Sequence, residues 1–551
     1  MSRKRTSDLW WKNAIVYCLD IETFLDSDGD GCGDIVGLTE RIDYLAGLGV
    51  TCLWLMPFYP SPRRDDGYDI TDFYGIDRRL GTPGDFAELI RTARDRGIRV
   101  IADVVLNHTS DAHPWFRSAR SGPDAPYHPF YVWADERPEE HADEVVFPDK
   151  EDSNWHWDDE AKRWYLHRFY HHQPELNVAT AEVRDELAQV VGYWLQQGLA
   201  GFRVDAVPFM LDPTGLPEGA SVDPHELIRD LRSFVCRHRG DAVLLGEVNL
   251  PPADARRFFG EGGDELHMCF SFALNQAMYL ALARGDAGPL ATALRALPEI
   301  PEDCQWANFV RNHDELTLDQ LSDAERDEVF AAFGPEERHQ LFGRGLRRRL
   351  PTMLGGDQQG IRMVYSLVFS LPGTPVLFYG EEIGMAENLD IEGRMSVRSP
   401  MQWSPEGHGG FTTGSEPVRP LVDAPDWGPE QVNVAHQRRE DGSLLNWMER
   451  LIRRRRECPE IGWGRATVLE VSNPAVLAHR CDWDGNVVVA VHSFAATPVD
   501  VEVPVGDIEA AVDLFADREL EPGSDGAIAL SLDPYDHRWL RLRHCGQRLP
   551  P

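Results

Sequence analysis

The chain has 551 residues, 42% of them hydrophobic, which is enough for two or three domains built around a large core. Its 91 acidic and 55 basic residues give a net charge of -36, which opposes binding to nucleic-acid phosphates and to anionic membrane surfaces. We therefore expect no nucleic-acid or membrane partner. A neutral or cationic small molecule is the more natural ligand.

The nine cysteines are odd in number and form no CxxC pairs, so they indicate neither a disulfide framework nor a zinc site. The N-terminal sequence MSRKRTSDLWWKN carries charge without an apolar segment behind it, and no run of 18 apolar residues occurs. These features predict a protein of the reducing cytoplasm without a membrane anchor.

Two arginine runs, Arg347 to Arg349 and Arg453 to Arg456, lie in leucine-containing segments with a helix-like pattern. Because Glu or Gln accompanies each run, we expect solvated helix faces there and not nucleic-acid contacts.

The stretch DSDGDGCGD carries acidic side chains at alternating positions, namely Asp26, Asp28, Asp30 and Asp34. Together with the backbone carbonyl of Cys32, these match the early ligand positions of an EF-hand loop. The twelfth position of such a loop must be a bidentate Glu, and here it is Gly37, which excludes an EF-hand. The turn offers enough oxygen ligands for a structural divalent cation, and a solvated acidic turn is the alternative.

Eight short apolar segments alternate with helical patterns along the chain. They are AIVYCLDIETF, VTCLWLMPF, RVIADVVLNH, GFRVDAV, AVLLGEVN, HMCFSFAL, ANFVRNHDE and GTPVLFYGEE. Between the first two, Leu38, Ile42, Leu45 and Leu48 follow helical spacing. Alternation of buried strands and helices predicts an α/β fold with a parallel sheet, and eight such units match a (β/α)8 TIM barrel.

The barrel is predicted to occupy residues 1–108 and 178–455. Residues 109–177 are rich in Trp, Tyr, His and acids and are too long for a simple connection after strand 3, so they predict an inserted subdomain above the barrel mouth. From residue 456 to 551 the alternating segments NVVVAVHSF, VDVEVPV, AIALSL and HRWLRL predict a C-terminal antiparallel β-sandwich.

Acidic residues stand at the predicted strand ends, where a barrel carries its functional groups. Asp205 ends the fourth segment, Glu247 the fifth and Asp314 the seventh. Adjacent strands lie about 4.8 Å apart, which suits the separation of about 5 to 5.5 Å between the carboxyl groups of a retaining glycosidase. Arg203 points to the same side as Asp205 and would keep it ionised. Taken singly, each acid also fits a structural ion pair; as a set they favour catalysis.

Four segments, DVVLNH, GFRVDAV, LLGEVN and FVRNHDE, resemble in order the four sequence regions of the α-amylase family, glycoside hydrolase family 13. The resemblance implies that Asp205 is the nucleophile, Glu247 the general acid/base and Asp314 a third acid that grips sugar hydroxyls.

The resemblance also implies the contacts to the substrate. His108 and His313 would bind the glucosyl unit beside the cleaved bond, and Tyr68 would stack on it. Asp65 and Arg398 would close the far end of the pocket, which favours release of one terminal glucose over cleavage inside a polymer.

In relatives a loop of the DSDGDGCGD type holds a structural ion. The resemblance therefore implies Ca2+ bound by Asp26, Asp28, Asp30, Asp34 and the Cys32 carbonyl. No organic cofactor is expected, because neither GxxxxGK[ST] nor GxGxxG occurs. Likeness to the family also suggests a homo-oligomer.

Longer segments such as PFYPSPRRDDGYDI, SLPGTPVLFYGEEIGM and SVRSPMQWS resemble those family members that interconvert maltose and trehalose through a covalent glucosyl-enzyme. A disaccharide substrate is implied. A hydrolytic α-glucosidase would use the same catalytic residues and is the alternative. A non-catalytic barrel that serves as a scaffold is disfavoured, since the acid set is complete.

Three departures from the family pattern lie near the expected pocket. Cys18, Asp20 and Glu22 replace Gln and basic or His residues, which predicts a more acidic rim. Glu175 replaces an Asp in QPELN, and the loop ENLDIEGRMSVRSP also differs. These changes are predicted to affect the choice of acceptor.

Overall fold

Eight parallel strands close into a barrel in the computed structural model, which describes residues 6–139, 145–147, 150–210, 224–414 and 416–546. With strands numbered in chain order, the barrel strands are β1 (Val16–Leu19), β2 (Cys52–Leu55), β3 (Arg99–Val104), β7 (Gly201–Val204), β8 (Val243–Gly246), β9 (Met268–Phe270), β10 (Gln305–Phe309) and β14 (Thr374–Phe378). Seven predicted strand segments contain one of them and the eighth, ANFVRNHDE, overlaps β10, so the predicted (β/α)8 barrel is confirmed.

The described helices include those that surround the barrel, and α4 belongs to the inserted subdomain. They are α1 (Ile35–Glu40), α2 (Ile42–Leu48), α3 (Pro83–Asp95), α4 (Pro114–Ala119), α5 (Ala181–Gln196), α6 (Val207–Met210), α7 (Pro224–His238), α8 (Pro252–Ala255), α9 (Phe272–Arg284), α10 (Gly288–Ala296), α11 (Asp323–Phe333), α12 (Leu350–Met353), α13 (Gln358–Ser370), α14 (Val434–Gln437), α15 (Leu444–Glu457) and α16 (Pro459–Trp463). Helix α3 shows the local logic: Thr82 and Asp85 form a capping box, Pro83 occupies the first turn, and Phe86 and Leu89 are buried.

The strand register brings the candidate acids to one rim of the barrel. Strand β7 pairs in parallel with β8, with Val204 opposite Gly246. Asp205 and Glu247 are each the next residue along, so they leave adjacent strands at the same level. Parallel strands end at one rim, and this rim is the mouth of the barrel.

The chain between β3 and α5 forms a small antiparallel sheet of β4 (Trp133–Ala134), β5 (Trp155–Asp158) and β6 (Arg163–Leu166), with β6 in the centre. Its two ends meet: the Thr109 amide donates to the Pro174 carbonyl (3.2 Å), and the Leu176 amide donates to the Asn107 carbonyl (2.8 Å). A second small sheet, β11 (Leu316–Thr317), β13 (Gly345–Leu346) and β12 (Gln340–Leu341), follows β10.

The C-terminal region contains two antiparallel sheets. One is ordered β15 (Arg465–Leu469), β16 (Val476–Trp483), β17 (Asn486–Ser493), β22 (His537–Arg543), β19 (Ala510–Asp513) and β20 (Arg518–Leu520), and the other pairs β18 (Val499–Pro504) with β21 (Ala527–Leu532). Residues of both sheets, including Val489, Val503 and Ile528, share one buried apolar cluster. The predicted C-terminal antiparallel domain is confirmed.

This C-terminal domain contacts helix α13 of the barrel through buried histidines. The rings of His479 and His492 stack with centroids 6.3 Å apart, and His537 stacks on His492 at 6.4 Å. Nε2 of His492 lies 3.0 Å from the Ser366 hydroxyl, and Nε2 of His479 lies 2.8 Å from the Ser370 carbonyl oxygen. Burial lowers the pKa of all three rings, to about 3 for His537, so they are neutral at neutral pH.

The first arginine run differs from the prediction of a solvated helix face, whereas the second lies on α15 with Arg453 and Arg456 exposed, as predicted, and departs from the prediction at Arg455. Arg347 to Arg349 precede α12, and Arg349 is only 1% exposed, with its guanidinium donating to the carbonyls of Val397 and Tyr379. Arg455 lies in α15 but is fully buried and donates to a backbone carbonyl. Main-chain oxygens accept hydrogen bonds from both guanidinium groups, which offsets much of the cost of burying them. Among the described residues, no helix is long and apolar enough to cross a membrane.

Candidate active site

Arg203 on β7 lies at the centre of the acidic cluster and is 1% exposed. Its Nη1 is 2.5 Å from carboxylate oxygens of both Asp103 and Asp205, and its Nη2 is 2.6 Å from Glu247. Trp54 donates to the remaining oxygen of Asp103 at 2.6 Å. One guanidinium therefore holds Asp205 and Glu247 on a common face, as the sequence predicted for Arg203 and Asp205.

The two candidate catalytic acids both bind protons more tightly than usual. Burial raises the pKa of Asp205 to about 6, against the opposing effect of Arg203. Burial likewise raises the pKa of Glu247, to about 7. Both carboxyls therefore titrate near neutral pH, so that one can be ionised while its neighbour keeps its proton. Such a division between neighbouring acids is the arrangement that acid-assisted nucleophilic catalysis requires.

The backbone turns sharply directly after Asp205. Ala206 has φ +48°, in the left-handed region that a residue with a Cβ rarely adopts. The turn aims the Ala206 amide at Glu247, which accepts its hydrogen at 3.3 Å. The local strain thus accompanies a direct link between the ends of β7 and β8.

Asp314 is connected to Tyr68 through His313. Nε2 of His313 is 3.0 Å from Asp314 and 2.8 Å from the Tyr68 hydroxyl, and the Tyr68 and His313 rings stack within 13° of parallel. Burial lowers the pKa of His313 to about 4. Burial would raise the pKa of Asp314, but His313 and then Arg394 outweigh it, and the pKa lies well below its usual value. Asp314 is therefore an anion.

His108 lies on the other side of Tyr68. Its Nε2 is 3.2 Å from the Tyr68 carbonyl oxygen, and its ring centroid is 5.3 Å from that of Phe169. Burial lowers the pKa of His108 to about 4, so the ring is neutral. The structure thus brings together the residues predicted to surround one sugar unit.

Asp65 and Arg398 were predicted to close the pocket together, and the structure connects them indirectly. Arg398 donates to Asp66 at 2.5 Å and to Asp314 at 3.1 Å. Asp65 instead accepts from Nη2 of Arg394 at 2.6 Å. Nη1 of Arg394 donates to Asp314 at 2.7 Å, so Arg394 is the residue that joins Asp65 to Asp314.

Arg394 and Gln173 are site residues that the sequence reasoning did not identify. Gln173, which belongs to the inserted subdomain, donates to Asp65 at 2.9 Å. Arg394 lies in the loop ENLDIEGRMSVRSP, within the 3-10 turn Gly393–Val397 that leads directly to Arg398. The available signal was a second arginine close to Arg398 in a loop that departs from the family pattern.

The prediction of a more acidic rim at Asp20 and Glu22 is wrong, because nearby arginines balance these charges. Glu22 accepts from Arg79 at 3.0 Å and from Arg419 at 3.1 Å, and it also contacts Arg63. Arg419 lies 3.5 Å from Asp20. Buried carboxylates of this kind need paired cations, and all three arginines come from loops at the mouth.

The departures at Cys18 and Glu175 are also accommodated by neighbouring residues. Cys18 is buried in β1. Glu175 forms a buried ion pair with Arg168 at 3.0 Å, and its backbone pairs with that of His108. The longer carboxylate therefore anchors the inserted subdomain beside a predicted substrate contact.

A cavity of about 530 Å3 opens beside Glu247 and Asp314. This volume lies in the range of about 300–1,000 Å3 that is usual for small-molecule sites. Its walls combine the aromatic rings of Phe147 and Phe209 with polar groups that include Asn249. A site with apolar walls, a few directed polar groups and paired acids is suited to a polyhydroxyl substrate.

The acidic turn forms a compact structure away from the paired acids. Asp26 accepts backbone hydrogens from Asp28 (3.1 Å), Gly29 (2.7 Å) and Gly31 (2.8 Å). Oxygens of Asp26, Asp28 and Asp34 lie within 4.8 Å of one another, which fits a Ca2+ with ligands at about 2.3–2.6 Å.

Asp30 is outside the set of three acidic side chains whose oxygens gather in this turn. Its carboxylate accepts from the Cys32 amide at 2.8 Å.

Comparison with known proteins agrees with the barrel and the acid set described above. Residues 21–329 and 341–464 match the α-amylase catalytic domain. The chain belongs to the α-amylase family. Residues 485–541 match a second family, described as the sucrose hydrolase-like C-terminal domain.

Two curated relatives are similar over most of the chain. "Trehalose synthase" of Pimelobacter sp. (strain R48) is 39% identical over 549 residues, covering 97% of this chain and 96% of the relative. "Trehalose synthase/amylase TreS" of Mycobacterium tuberculosis is 40% identical over 503 residues, covering 90% and 83%. Among solved structures, that of a mutant of the trehalulose synthase MutB superposes with a TM-score of 0.78 at 27% identity, covering 97% of this chain and 100% of that chain.

Proposed function

We propose that this protein is a retaining α-glucosyl-transferring enzyme that interconverts maltose and trehalose. The observation that carries the proposal is the shared contact of Arg203 with Asp205 and Glu247, two acids whose pKa values stand at about 6 and about 7. Two relatives that carry the name trehalose synthase support the choice of substrate.

The reaction has two balanced steps. In the first, a carboxylate oxygen of Asp205 bonds to the anomeric carbon while the glycosidic bond breaks, and Glu247 gives its proton to the leaving oxygen. In the second, the anomeric hydroxyl of the released glucose attacks the same carbon, Glu247 takes its proton, and the bond to Asp205 breaks. The first configuration is restored, and the product is the isomeric disaccharide.

The surrounding residues position the transferred sugar. Asp314 is an anion beside His313 and is suited to accept hydrogen bonds from sugar hydroxyls. Tyr68 and His108 supply a ring face and a neutral imidazole. The connection from Asp65 through Arg394 to Asp314 closes the end of the pocket.

Transfer competes with hydrolysis, because water can attack the glucosyl-enzyme in place of the retained glucose. A closed site favours transfer by excluding water. The Asp65–Arg394–Asp314 connection supports the isomerase. An α-glucosidase is the second candidate, supported by the similarity of 97% of this chain, at 28% identity, to an oligo-1,6-glucosidase.

We also propose that Asp26, Asp28 and Asp34 hold a structural Ca2+. The gathered oxygens support this ligand set, and the backbone hydrogen bonds to Asp26 give the turn its shape. When bound, the ion would stabilise the turn before α1 and take no part in the chemistry.

The test is to incubate the purified protein with maltose and follow the sugars by NMR. Trehalose that appears ahead of free glucose is the expected result. Glucose alone, released first as the α-anomer, would keep the retaining mechanism and replace the isomerase by the α-glucosidase. Release of the β-anomer would contradict the assignment of Asp205 as nucleophile, and a lack of any product would contradict the activity.

A further inference from the structure

A second cavity, of about 560 Å3, lies outside the candidate active site. We call it the Trp427 cleft; among its lining residues are Glu336, Arg338, His339, Asp390, Asp423 and Trp427. Within the described part of the chain, none of its lining residues lines the active-site cavity. The cleft is as large as the candidate active site and falls in the usual range of about 300–1,000 Å3 for small-molecule sites.

The lining of the Trp427 cleft indicates the chemistry of its ligand. Glu336, Asp390 and Asp423 supply hydrogen-bond acceptors, while Arg338 supplies donors. Carboxylates outnumber guanidinium groups, so an anionic ligand would be repelled. Trp427 offers an indole face for the CH groups of a ring. A neutral polyhydroxyl molecule meets all of these requirements, because each hydroxyl both donates and accepts.

One wall of the cleft is firmly built. Glu387 is 7% exposed, and its two oxygens accept from Nε of Arg348 (3.0 Å), the Arg349 amide (2.9 Å) and the Thr352 hydroxyl (2.6 Å). Because these bonds fix the wall without a ligand, the cleft needs little rearrangement to accept one.

A hydrogen bond connects the wall that contains Glu387 and Asn388 to the opposite side of the cleft. Asn388 is 8% exposed and donates to the Leu421 carbonyl at 2.7 Å, which connects it to the segment that carries Asp423 and Trp427. The walls of the cleft are therefore held at a fixed separation.

The same wall continues into the active site. Leu389 and Asp390 line the cleft, and Arg394 follows a few residues later in the same loop. Arg347 donates to the carbonyls of Leu389 and Ile391, which anchors the loop between the two cavities. A molecule in the cleft would contact the loop that positions Arg394.

We propose that the Trp427 cleft is a second, non-catalytic site for a neutral saccharide, and that its occupant stabilises the loop of residues 386–398. The inference goes beyond the proposed function, since binding here requires no bond cleavage. It identifies a route by which sugar concentration affects the loop that holds Asp65 and Asp314.

The test uses the Asp205→Asn protein, in which maltose can bind without being consumed, and titrates maltose calorimetrically. We expect a second binding step in addition to that of the active site. Adding Trp427→Ala should weaken the second step about tenfold or more, which corresponds to about 1.4 kcal/mol, and leave the first unchanged. Asp423→Ala should weaken the same binding step. Because Asp423 is exposed, this variant is expected to fold, and it tests the cleft even if the Trp427 variant misfolds.

Trp157→Ala is the matched control, because Trp157 is an exposed indole on β5 outside the cleft. It should leave both binding steps unchanged. A single binding step that Trp427→Ala and Asp423→Ala leave intact would overturn the site.

Hydrogen exchange tests the effect on the loop. With the active site saturated by maltose, amides of residues 386–391 should exchange more slowly in Asp205→Asn than in Asp205→Asn/Trp427→Ala. Equal rates would overturn the coupling. If Asp205→Asn still converts maltose, the catalytic assignment fails, whereas the comparison of the two Trp427 forms still decides the cleft.

Discussion

Arg394 and Asp65 are 329 residues apart in the chain, and their side chains form a 2.6 Å ion pair at the end of the candidate active site. The other arm of the Arg394 guanidinium reaches Asp314 at 2.7 Å. A planar guanidinium can hold two carboxylates at once in a fixed geometry. The acid set at the barrel rim and the loop of residues 386–398 are thus one connected unit.

Arg394→Ala should shift the products from disaccharide toward free glucose. Loss of the guanidinium opens the pocket end to water and removes a partner of Asp314, so we expect glucose release relative to trehalose formation to rise by about tenfold. NMR of maltose turnover measures the ratio. Arg394→Lys should give an intermediate ratio, because an ammonium group cannot span both carboxylates. Arg295→Ala, which removes a surface ion pair with Glu470, is the control, and an unchanged ratio in Arg394→Ala would refute the proposed role.

Asp205→Asn should lower turnover by on the order of 10³-fold or more, since the amide cannot form the glycosyl ester. The melting temperature should not fall, because burial already opposes ionisation of this carboxyl. Asp254→Asn, on the exposed surface of α8, should retain full activity. Near-normal turnover by Asp205→Asn would remove it from the catalytic role.

The dependence of kcat/KM on pH should be bell-shaped with its maximum between the two acids. Below about pH 6 Asp205 takes up a proton and loses its nucleophilic oxygen. Above about pH 7 Glu247 loses the proton that it must donate. Initial rates at low maltose concentration across buffers of constant ionic strength measure the profile. A rate that keeps rising through the alkaline range would contradict the role of Glu247.

Calcium should raise the melting temperature of protein freed of metal by chelation. At a concentration about 100 times the dissociation constant, the expected stabilisation is about 2.7 kcal/mol. Asp28→Asn should abolish this response, since Asp28 belongs to the gathered oxygens. Asp30→Asn distinguishes the two possible ligand sets. If Ca2+ still raises its melting temperature, the ligands are Asp26, Asp28 and Asp34; if it does not, the larger set predicted from the sequence, which includes Asp30, is supported. A melting temperature that does not change on addition of Ca2+ would contradict the proposed calcium site.

The histidines between the barrel and the C-terminal domain should make the protein less stable in acid. Their folded-state pKa values are lowered, to about 3 for His537, whereas the ordinary value is 6.5. The unfolded chain therefore binds protons first, and their contribution to stability declines as the pH falls below about 6.5. The melting temperature should fall across this range, and His537→Gln should flatten the slope between pH 6.5 and about 4. An unaltered slope would exclude His537 as a contributor.

The sequence predicted the parts of the site that depend on local pattern. Apolar segments located every barrel strand, and the rule that function lies at strand ends located Asp205, Glu247 and Asp314. Pairings between distant loops leave no such pattern. Arg394 and Arg398 are equally basic in sequence, and only the fold shows which of them meets Asp65.

Burial of charge is equally hard to read from sequence. Arg349 and Arg455 lie in basic runs that a residue count assigns to solvent. Carbonyl oxygens from remote segments accept hydrogen bonds from their guanidinium groups and offset much of the cost of burial. The same reason explains why Glu22 did not acidify the rim, since its arginine partners come from other loops.

The inserted subdomain leaves and rejoins the barrel at a single point, where the Thr109 and Leu176 amides bond to Pro174 and Asn107. Because its ends lie side by side, the strands within it add no separation between β3 and α5. One of its residues, Gln173, donates to Asp65, so the subdomain also contributes to the contacts of the candidate active site. A change within the subdomain would therefore alter those contacts while the pairing of β3 with β7, and with it the register of the barrel, stays the same.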